Sequence, residues 1–492
     1  MPLDFPFWLR ATHILNVLFL SLLARSGLEI LSAHPKFYWH DDCTPGSEWL
    51  RFTKKRMPED KLWTGRDEEE AFSSWIALPG HQKLGLGRHW HFASVLGWWL
   101  TGIVYVVLLF ATNEWRRLVP TTWSVFPDAW QAFVAYLHLT ISPEIRYNAL
   151  QQLTYFAVVF LLAPFMLATG AAMSPAIAAQ FPRYIALFGG RQRARSLHFL
   201  SLLAFAGFTV VHTAMVIAHG LPREWSKIVL GGRRDGSVQA LVWGAAGLCV
   251  IVAIHIFGTQ FSLRSPRRTQ HLLGLVVDPL QWGLSHSATS RQNYARSAIS
   301  PFSRINGRPP VDAGYDQLAQ DGFVNWALEV TGLVERPLVL TLADLREMPK
   351  QTQTTKHICI QGWSYVGEWS GVAMRDLLDH CGPLPTARYA VFHALDDKAL
   401  SEPELGGTGR FYETVDLALV RDSQALLAYE MNGEPLTAPH GAPLRLRLET
   451  QLGFKMVKYL CAIELVEDFR TIGEGQGGWR EDVQYYSREV GI

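Results

Sequence analysis

A cysteine placed at the end of a strand is the first residue of this chain that could do chemistry. Polar and apolar residues alternate up to Cys359, and Gly362 follows within a Gly-Trp-Ser segment. This pattern predicts a strand that ends in a turn, where a rigid element can hold a reactive group. The alternative is a buried structural thiol, because free cysteines are among the most buried residues.

Four histidines within long apolar segments could bind a metal: His13, His91, His198 and His212. The fourteen residues between His198 and His212 leave them within about 40° of one helix face and about 21 Å apart along the axis. Neutral imidazole is a common axial ligand of haem iron. The pattern therefore predicts two bis-histidine haem sites, one above the other. The alternative is a set of interfacial histidines bonded to carbonyls, which fits one histidine near a helix end better than four at matched depths.

The elements that must position these histidines are apolar segments long enough to cross a bilayer, which takes about 20 residues. Five are predicted, at 11–31, 91–111, 153–176, 197–218 and 238–257. The second half of the chain mixes predicted strands (326–332 and 444–448) with short helices (342–346 and 374–380). The predicted fold is a membrane all-α bundle of five transmembrane helices followed by a soluble α+β domain.

Composition excludes several classes of protein. The net charge of +1 gives no indication of nucleic-acid binding. The five cysteines lie apart, without zinc or iron–sulfur spacing, and a disulfide framework is not expected. The N-terminus lacks the features of a cleavable signal peptide.

The second half resembles the molybdopterin domain of the sulfite oxidase family, including its bacterial sulfoxide-reductase branch. The likeness covers 299–469 and lies in Cys-x-x-Gly-Trp-Ser from Cys359, Trp-Ser-Gly-Val from Trp369, Ala-Tyr-Glu-Met-Asn-Gly-Glu-Pro-Leu from Ala428, and His-Gly-Ala-Pro-Leu-Arg from His440. It implies a molybdenum–molybdopterin cofactor with Cys359 as the thiolate ligand of the metal.

The same resemblance implies further site residues. It gives the pterin and its phosphate to Asn306, His440, Arg445, Lys455 and Lys458, and a position near the metal to Tyr412. Guanidinium and ammonium groups are suited to hold a phosphate. The alternatives are a solvated strand face for the cations and a core position for Tyr412. The segment 449–452 departs from the family pattern and leaves the substrate preference open.

The first half resembles the di-haem cytochrome b subunits of membrane hydrogenases and formate dehydrogenases. The likeness lies in Arg-x-Thr-His with Gly27, in Gly-Arg-His-Trp-His-Phe from Gly87, in Tyr147-Asn148 with Tyr155, in Pro164 with Thr169-Gly170, and in the His198/His212 pair. It implies that His13 pairs with His212, and His91 with His198. His89 remains a rival to His91, His219 and His255 are expected to be non-ligating, and a fifth helix is a departure from the four-helix family.

We therefore expect three parts: a di-haem membrane domain at 1–262, an irregular linker at 263–298 and a molybdopterin oxidoreductase domain at 299–492. Segment 32–87 is expected to cap one membrane face. The resemblance places the protein in the bacterial inner membrane with a periplasmic catalytic domain, and Arg233-Arg234 resembles a twin-arginine export signal.

The expected reaction passes electrons between quinol, two b-type haems and molybdenum, and reduces a sulfoxide-like or other oxo substrate. One alternative runs in the opposite direction, oxidising sulfite or a related oxyanion and reducing quinone. Another is a non-enzymatic haem membrane protein whose pterin-fold domain is a binding module, although the presence of Cys359 argues against it.

Overall fold

The first half of the chain is helical. The computed structural model describes residues 5–138, 140, 147–232, 238–286, 292–488 and 490–491. In chain order this half contains α1 (Phe7–Ala33), β1 (Lys36–Phe37), β2 (Leu50–Arg51), α2 (Leu84–Ala111), α3 (Val125–Leu137), α4 (Ala149–Phe156), α5 (Ala163–Met173), α6 (Pro175–Gln180), α7 (Pro182–Leu187), α8 (Arg191–Ala218), α9 (Leu221–Leu230), α10 (Val238–Arg264) and α11 (Pro266–His286).

Five helices in the described residues are long and apolar enough to cross a membrane, as predicted. They are α1, α2, α8, α10 and the continuous helix Ala149–Met173, in which a π-helical segment, Ala157–Leu162, joins α4 to α5. Five crossings put the N-terminus and the second half of the chain on opposite sides. The predicted twin arginine, Arg233-Arg234, lies outside the described residues.

The segment predicted as an irregular linker instead contains the 21-residue helix α11. It begins two residues after the end of α10, the last of the five candidate spans. Its apolar side chains Leu272, Leu275 and Val276 are exposed, and their spacing puts them on one face. Such a face suits a helix lying in the membrane surface. The prediction of an irregular structure was wrong for this segment, because its arginine-rich start drew attention away from the helical spacing of the apolar residues that follow.

The second half contains two five-stranded sheets with short helices. Its elements are α12 (Ala313–Gln320), β3 (Ala327–Gly332), β4 (Leu338–Thr341), α13 (Leu342–Glu347), β5 (Lys350–Ile358), β6 (Ser364–Ala373), α14 (Met374–Cys381), β7 (Tyr389–Asp397), α15 (Lys398–Ser401), β8 (Arg410–Asp416), α16 (Leu417–Val420), β9 (Leu426–Met431), β10 (Glu434–Pro435), β11 (Arg445–Arg447), β12 (Leu460–Val466) and α17 (Trp479–Gln484). One sheet has the order β10-β9-β6-β5 with β11 on β9, and the other β4-β3-β12-β7-β8. Only β12 and β3 pair in parallel among these strands. This is the predicted α+β domain.

The segment between α1 and α2, here called the cap (residues 34–83), packs against the second half of the chain. One hydrophobic cluster contains Tyr38 and Cys43 of the cap together with Cys359, Trp363 and other residues of the second half. The cap amide of Gly65 donates to the carbonyl of Ile305 at 2.8 Å. The predicted cap is therefore present, and it shares a core with the catalytic half.

A buried ion cluster fixes this packing. The Glu68 carboxylate of the cap lies 3.1 Å from the Lys36 ammonium and forms an ion pair with Arg304 of the second half. Arg304 also donates to the cap carbonyl of Cys43 at 2.9 Å. Burial would raise the pKa of Glu68, but hydrogen bonding from His34 and the charge of Arg304 bring it far below its ordinary value. One carboxylate thus balances cations from both halves of the chain.

We expect Glu68→Gln to destabilise the docked cap by about 3–5 kcal/mol, because it leaves Lys36 and Arg304 buried without a counter-charge. The measurement is thermal unfolding of the detergent-solubilised chain, followed by tryptophan fluorescence. The matched control is Glu48→Gln, which removes a weaker cap ion pair with Arg51 at 3.9 Å. Equal melting temperatures for the two variants would contradict the role of the cluster.

Candidate functional site: a cationic cleft and paired membrane histidines

Cys359 lies just after β5, in the tight loop that leads to β6. Its amide donates to the carbonyl of Trp363 at 3.0 Å, and the amide of Gly362 donates to the carbonyl of Cys359 at 3.0 Å. Gly362 has φ of +114°, which a residue with a side chain rarely adopts. The strand and turn predicted around Cys359 are therefore present.

The thiol of Cys359 is buried, and burial raises its pKa to about 12. Such a thiol becomes a thiolate only against a strong positive charge, which a bound metal supplies. His357, two residues earlier and so on the same face of the strand, lines a neighbouring cleft. The loop therefore presents a potential metal ligand beside that cleft.

This first cleft measures about 570 Å³ counted to its open mouth, and positively charged side chains surround it. Four of the predicted residues line it: Asn306, His440, Arg445 and Lys458. Further polar residues of its wall are Arg304, His357, Asp396, Lys398 and Arg480.

The two predicted cations of the first cleft, Arg445 and Lys458, bond to backbone carbonyls. Lys458 donates to Pro439 at 3.1 Å and to Gly307 at 3.3 Å. Arg445 donates to the carbonyl of His440 at 2.8 Å, and its buried Nε has no partner among the described residues. Carbonyl oxygens satisfy these donors without cancelling their charge.

The pKa values in the first cleft reflect this excess of positive charge. Burial and the charges of Arg445 and Lys398 lower the pKa of Lys458 well below its usual value. Burial lowers the pKa of Arg445 to about 10 and that of His440 to about 4. A bound anion would relieve all three, so the cleft fits a phosphate-bearing group such as molybdopterin.

The structure does not bring Lys455 into this group. Its buried ammonium lies 2.9 Å from Glu413 and also pairs with Glu481. Burial alone would lower the pKa of Lys455, but the two carboxylates raise it above its ordinary value. The prediction that Lys455 binds the phosphate is wrong in this geometry, because its charge is already balanced.

Tyr412 also points away from the first cleft. Its hydroxyl bonds to Asp482 and to the carbonyl of Ile472, and its ring belongs to the main hydrophobic core. The preceding residue, Phe411, lines the cleft instead, because neighbours on a strand face opposite sides. The alternative core position for Tyr412 is the one observed.

Other cleft residues were not predicted. Arg304 lies two residues before Asn306 and His357 two before Cys359, so proximity in sequence could have indicated both. Arg480 and Lys398 are far from any motif, so nothing in the sequence indicated their position in the cleft.

Glu449 lies in the segment that departs from the family pattern. It forms a buried ion pair with Arg447 at 2.7 Å, which explains its presence.

In the membrane half, the structure brings together the histidines that were expected to pair. The rings of His13 and His212 lie 6.3 Å apart between centroids. Metal–imidazole bonds of about 2 Å would hold two centroids roughly 6 Å apart. His91 and His198 lie close enough to interact electrostatically. Each pair is therefore placed so that its two imidazoles could hold one haem iron between them.

Three of these histidines have a hydroxyl group close to a ring nitrogen, and two of the hydroxyl residues, Tyr155 and Thr169, belong to the motifs noted in the sequence. Ser26, beside Gly27, lies 3.1 Å from Nδ1 of His91. Thr169 lies 3.2 Å from Nδ1 of His198, and Tyr155 lies 3.5 Å from Nδ1 of His212. In these three histidines, contacts at Nδ1 leave Nε2 as the nitrogen for a metal.

The rival His89 is placed differently. Its Nδ1 donates to the carbonyl of Gly85 at 2.8 Å, and its Nε2 lies 3.4 Å from the Ser487 hydroxyl of the catalytic half. Both nitrogens therefore face protein groups. His219 and His255 likewise bond to protein groups, the first to the Met215 carbonyl and the second to Arg25, in keeping with the non-ligating roles expected.

We expect Lys458→Met to weaken retention of molybdopterin by roughly 10-fold or more, because a charge-assisted bond to the phosphate is lost. The measurement is molybdenum and pterin content after dialysis. The matched control, Lys455→Met, leaves two glutamates without their counter-charge and should lower stability by about 3–5 kcal/mol. The distinction between the two lysines would be contradicted if both variants lost the same share of pterin under conditions in which both remain folded.

For the membrane sites, we expect His91→Ala to remove about half of the haem and His89→Ala to remove none, because only the first frees an axial position. Haem per chain, measured by the pyridine haemochrome method, tests this. Haem loss in His89→Ala with full content in His91→Ala would reverse the assignment.

Known proteins resemble both halves of the chain. The family described as "Prokaryotic cytochrome b561" matches residues 4–231, and the "Oxidoreductase molybdopterin binding domain" matches residues 316–471. The putative protein-methionine-sulfoxide reductase subunit YedZ1 of Azospira oryzae is 33% identical over 38% of this chain. The catalytic subunit MsrP of the protein-methionine-sulfoxide reductase of Campylobacter jejuni is 28% identical over 29% of it.

The chain spans 65% of the length of the first of these relatives and 50% of the second. The uncharacterized oxidoreductase YuiH of Bacillus subtilis is 29% identical over 36% of this chain and 84% of its own length. Taken with the five spans and the cleft beside Cys359, these matches show a membrane domain similar to prokaryotic cytochrome b561 followed on the same chain by a molybdopterin-binding oxidoreductase domain.

Proposed function

We propose that the chain is a membrane-bound molybdenum oxidoreductase that takes electrons from quinol, passes them through two b-type haems and reduces a sulfoxide-like substrate beside Cys359. The observation that carries this proposal is a direct contact between the Cys359 loop and the helix that contains His198. Gln192, at the start of α8, donates to the carbonyl of Gly362 in the Cys359 loop at 2.7 Å. His198 follows on the same helix, about 9 Å further along its axis.

The reaction balances with quinol as the reductant. Quinol gives up two electrons and two protons and becomes quinone. At the substrate, the S=O bond breaks, sulfur is reduced to the sulfide, and the oxygen leaves as water with two protons. Bound molybdenum supplies the oxygen-atom chemistry, which needs a metal that exchanges two electrons with the substrate.

Residues of this chain hold the components in place. Cys359 binds the metal, while His440, Arg445 and Lys458 bind the anionic end of the pterin, with Asn306 along its side. His13 with His212 and His91 with His198 bind the haems, one pair at each end of α8. The second pair is the nearer to the Cys359 loop and therefore passes electrons to it.

The relatives' names support a sulfoxide as the substrate, because two of them carry methionine sulfoxide reductase in their names. We also propose that the protein lies in a bacterial inner membrane with its catalytic half in the periplasm. The span count supports only the relative placement, with the cap and the catalytic half on the face opposite the N-terminus.

The test is an anaerobic haem assay. The solubilised protein is reduced with a quinol analogue, and methionine sulfoxide is then added. We expect the reduced-haem absorbance to fall, because electrons leave towards the substrate. Cys359→Ser should keep the haem spectrum and abolish this reoxidation.

The opposite direction has its own outcome in the same assay. Reduction of oxidised haem by sulfite, with no reoxidation by sulfoxides, would replace the proposal with a sulfite dehydrogenase. A protein that holds haem but no molybdenum, after expression with ample molybdate, would favour the non-enzymatic binding module.

A further inference from the structure

A second cleft adjoins the first and shares Asn306, Phe454 and Arg480 with it. It measures about 330 Å³ counted to its mouth. Ile360 and Gln361, the two residues that follow Cys359, form part of its wall. A molecule in this cleft would therefore lie beside the metal-binding loop and apart from the phosphate-binding cations.

The cap supplies one side of the second cleft. Arg66 and Glu69 of the cap face Glu402 and Arg480 of the catalytic half. Glu69 accepts from the Gln361 amide at 2.6 Å, and the carbonyl oxygen of that amide lies 3.5 Å from the Cys359 sulfur. A short chain of polar groups thus joins the cap to the metal ligand, and the cleft is complete only when the cap is docked.

The charges of the second cleft are balanced, unlike those of the first. Arg66 pairs with Glu69 at 2.7 Å, and Arg480 pairs with Glu402 at 2.8 Å. Two guanidinium groups therefore face two carboxylates. In the first cleft, by contrast, Arg445 and Lys458 bond to backbone carbonyls, which do not neutralise their charges.

We propose that the second cleft is the substrate compartment, that it takes a small uncharged molecule with a polar S=O or N–O bond, and that Arg66 of the cap donates to the substrate oxygen. This inference deepens the proposed function and rests on it. Arg66 has five N–H donors in a fork, and its carboxylate partners, Glu69 and Glu404, leave donors for a further acceptor.

Charge selects this class of substrate. A sulfite-like dianion would lose its hydration without meeting an uncompensated cation, and burial of an unpaired charge is costly. An uncharged molecule with a dipolar S=O or N–O bond needs only a hydrogen-bond donor for its oxygen.

The first experiment compares Arg66→Gln with the unaltered full-length holoenzyme in methionine sulfoxide reduction driven by a reduced viologen dye, which bypasses quinol and the haems. We expect KM to rise roughly tenfold or more, because a hydrogen bond from a charged donor is lost. The turnover number should change much less, and the molybdenum and haem contents should stay unchanged, while the melting temperature reports any loosening of the cap caused by loss of the Arg66–Glu69 pair. The matched control is Arg51→Gln, which alters a cap arginine outside the cleft.

Two further results keep this test decisive. If Arg66→Gln loosens the cap, Arg66→Lys can replace it, because lysine keeps a cation beside Glu69. The KM of Arg66→Lys should still rise, because the forked donors of the guanidinium group are lost. An unchanged KM in a well-folded Arg66 variant overturns the inference while leaving the proposed function intact. Failure of the unaltered protein to reduce any sulfoxide with the dye overturns the proposed function itself.

Charge balance is tested by Glu69→Gln, which keeps an acceptor for Gln361 but removes one negative charge. We expect inorganic sulfate to inhibit this variant at several-fold lower concentration than the unaltered protein, and to quench its tryptophan fluorescence with the same increased affinity. The KM for neutral methionine sulfoxide should change less. Unchanged sulfate binding would show that the cleft does not select by charge.

Discussion

A buried charge must find a counter-charge, and this requirement organises the catalytic half. Around Glu68 it is met across the junction between the cap and the catalytic half, so that separating the two parts would remove the carboxylate partner of Arg304. Around Lys455 it is met within the catalytic half, by two glutamates. Around Lys458, backbone carbonyl oxygens accept hydrogen bonds from the ammonium group but do not neutralise its charge. The difference between these three clusters is that only the third leaves a charge that a bound anion could balance.

The need for a counter-charge also explains why some features could be predicted from the sequence and others could not. The spans and the strand before Cys359 follow from hydropathy and alternation, which are local properties of the chain. The roles of Lys455 and Lys458 are not local. The two lysines lie three residues apart in one motif, yet their partners come from Glu413, Glu481 and the Gly307 region. A motif can therefore identify the right loop and still assign a residue wrongly, because a side chain's direction depends on distant partners.

Helix α11 shows a second limit of sequence patterns. Its apolar face is too short and too interrupted for a span, and it is not buried in a protein core. The membrane surface is a third environment, in which half of a helix meets lipid. Once formed, α11 also holds the catalytic half: Arg267 donates to the carbonyl of Asp482 at 2.7 Å. Helix α11, which was predicted to be a linker, thus connects the last span, α10, to the C-terminal segment that borders the second cleft.

The close approaches between the halves suggest why the two domains share one chain. Gly85, at the start of α2, lies so near the C-terminal segment that an added Cβ would be 2.3 Å from the carbonyl of Gln484. Gly65 of the cap would meet Gln361 at 2.6 Å in the same way. Such contacts need a fixed register between the two halves, and the proposed electron transfer would need the same fixed register between the Cys359 loop and His198. Covalent connection through α10 and α11 keeps the effective concentration of the halves high, so individually weak contacts suffice to hold the two halves in this register.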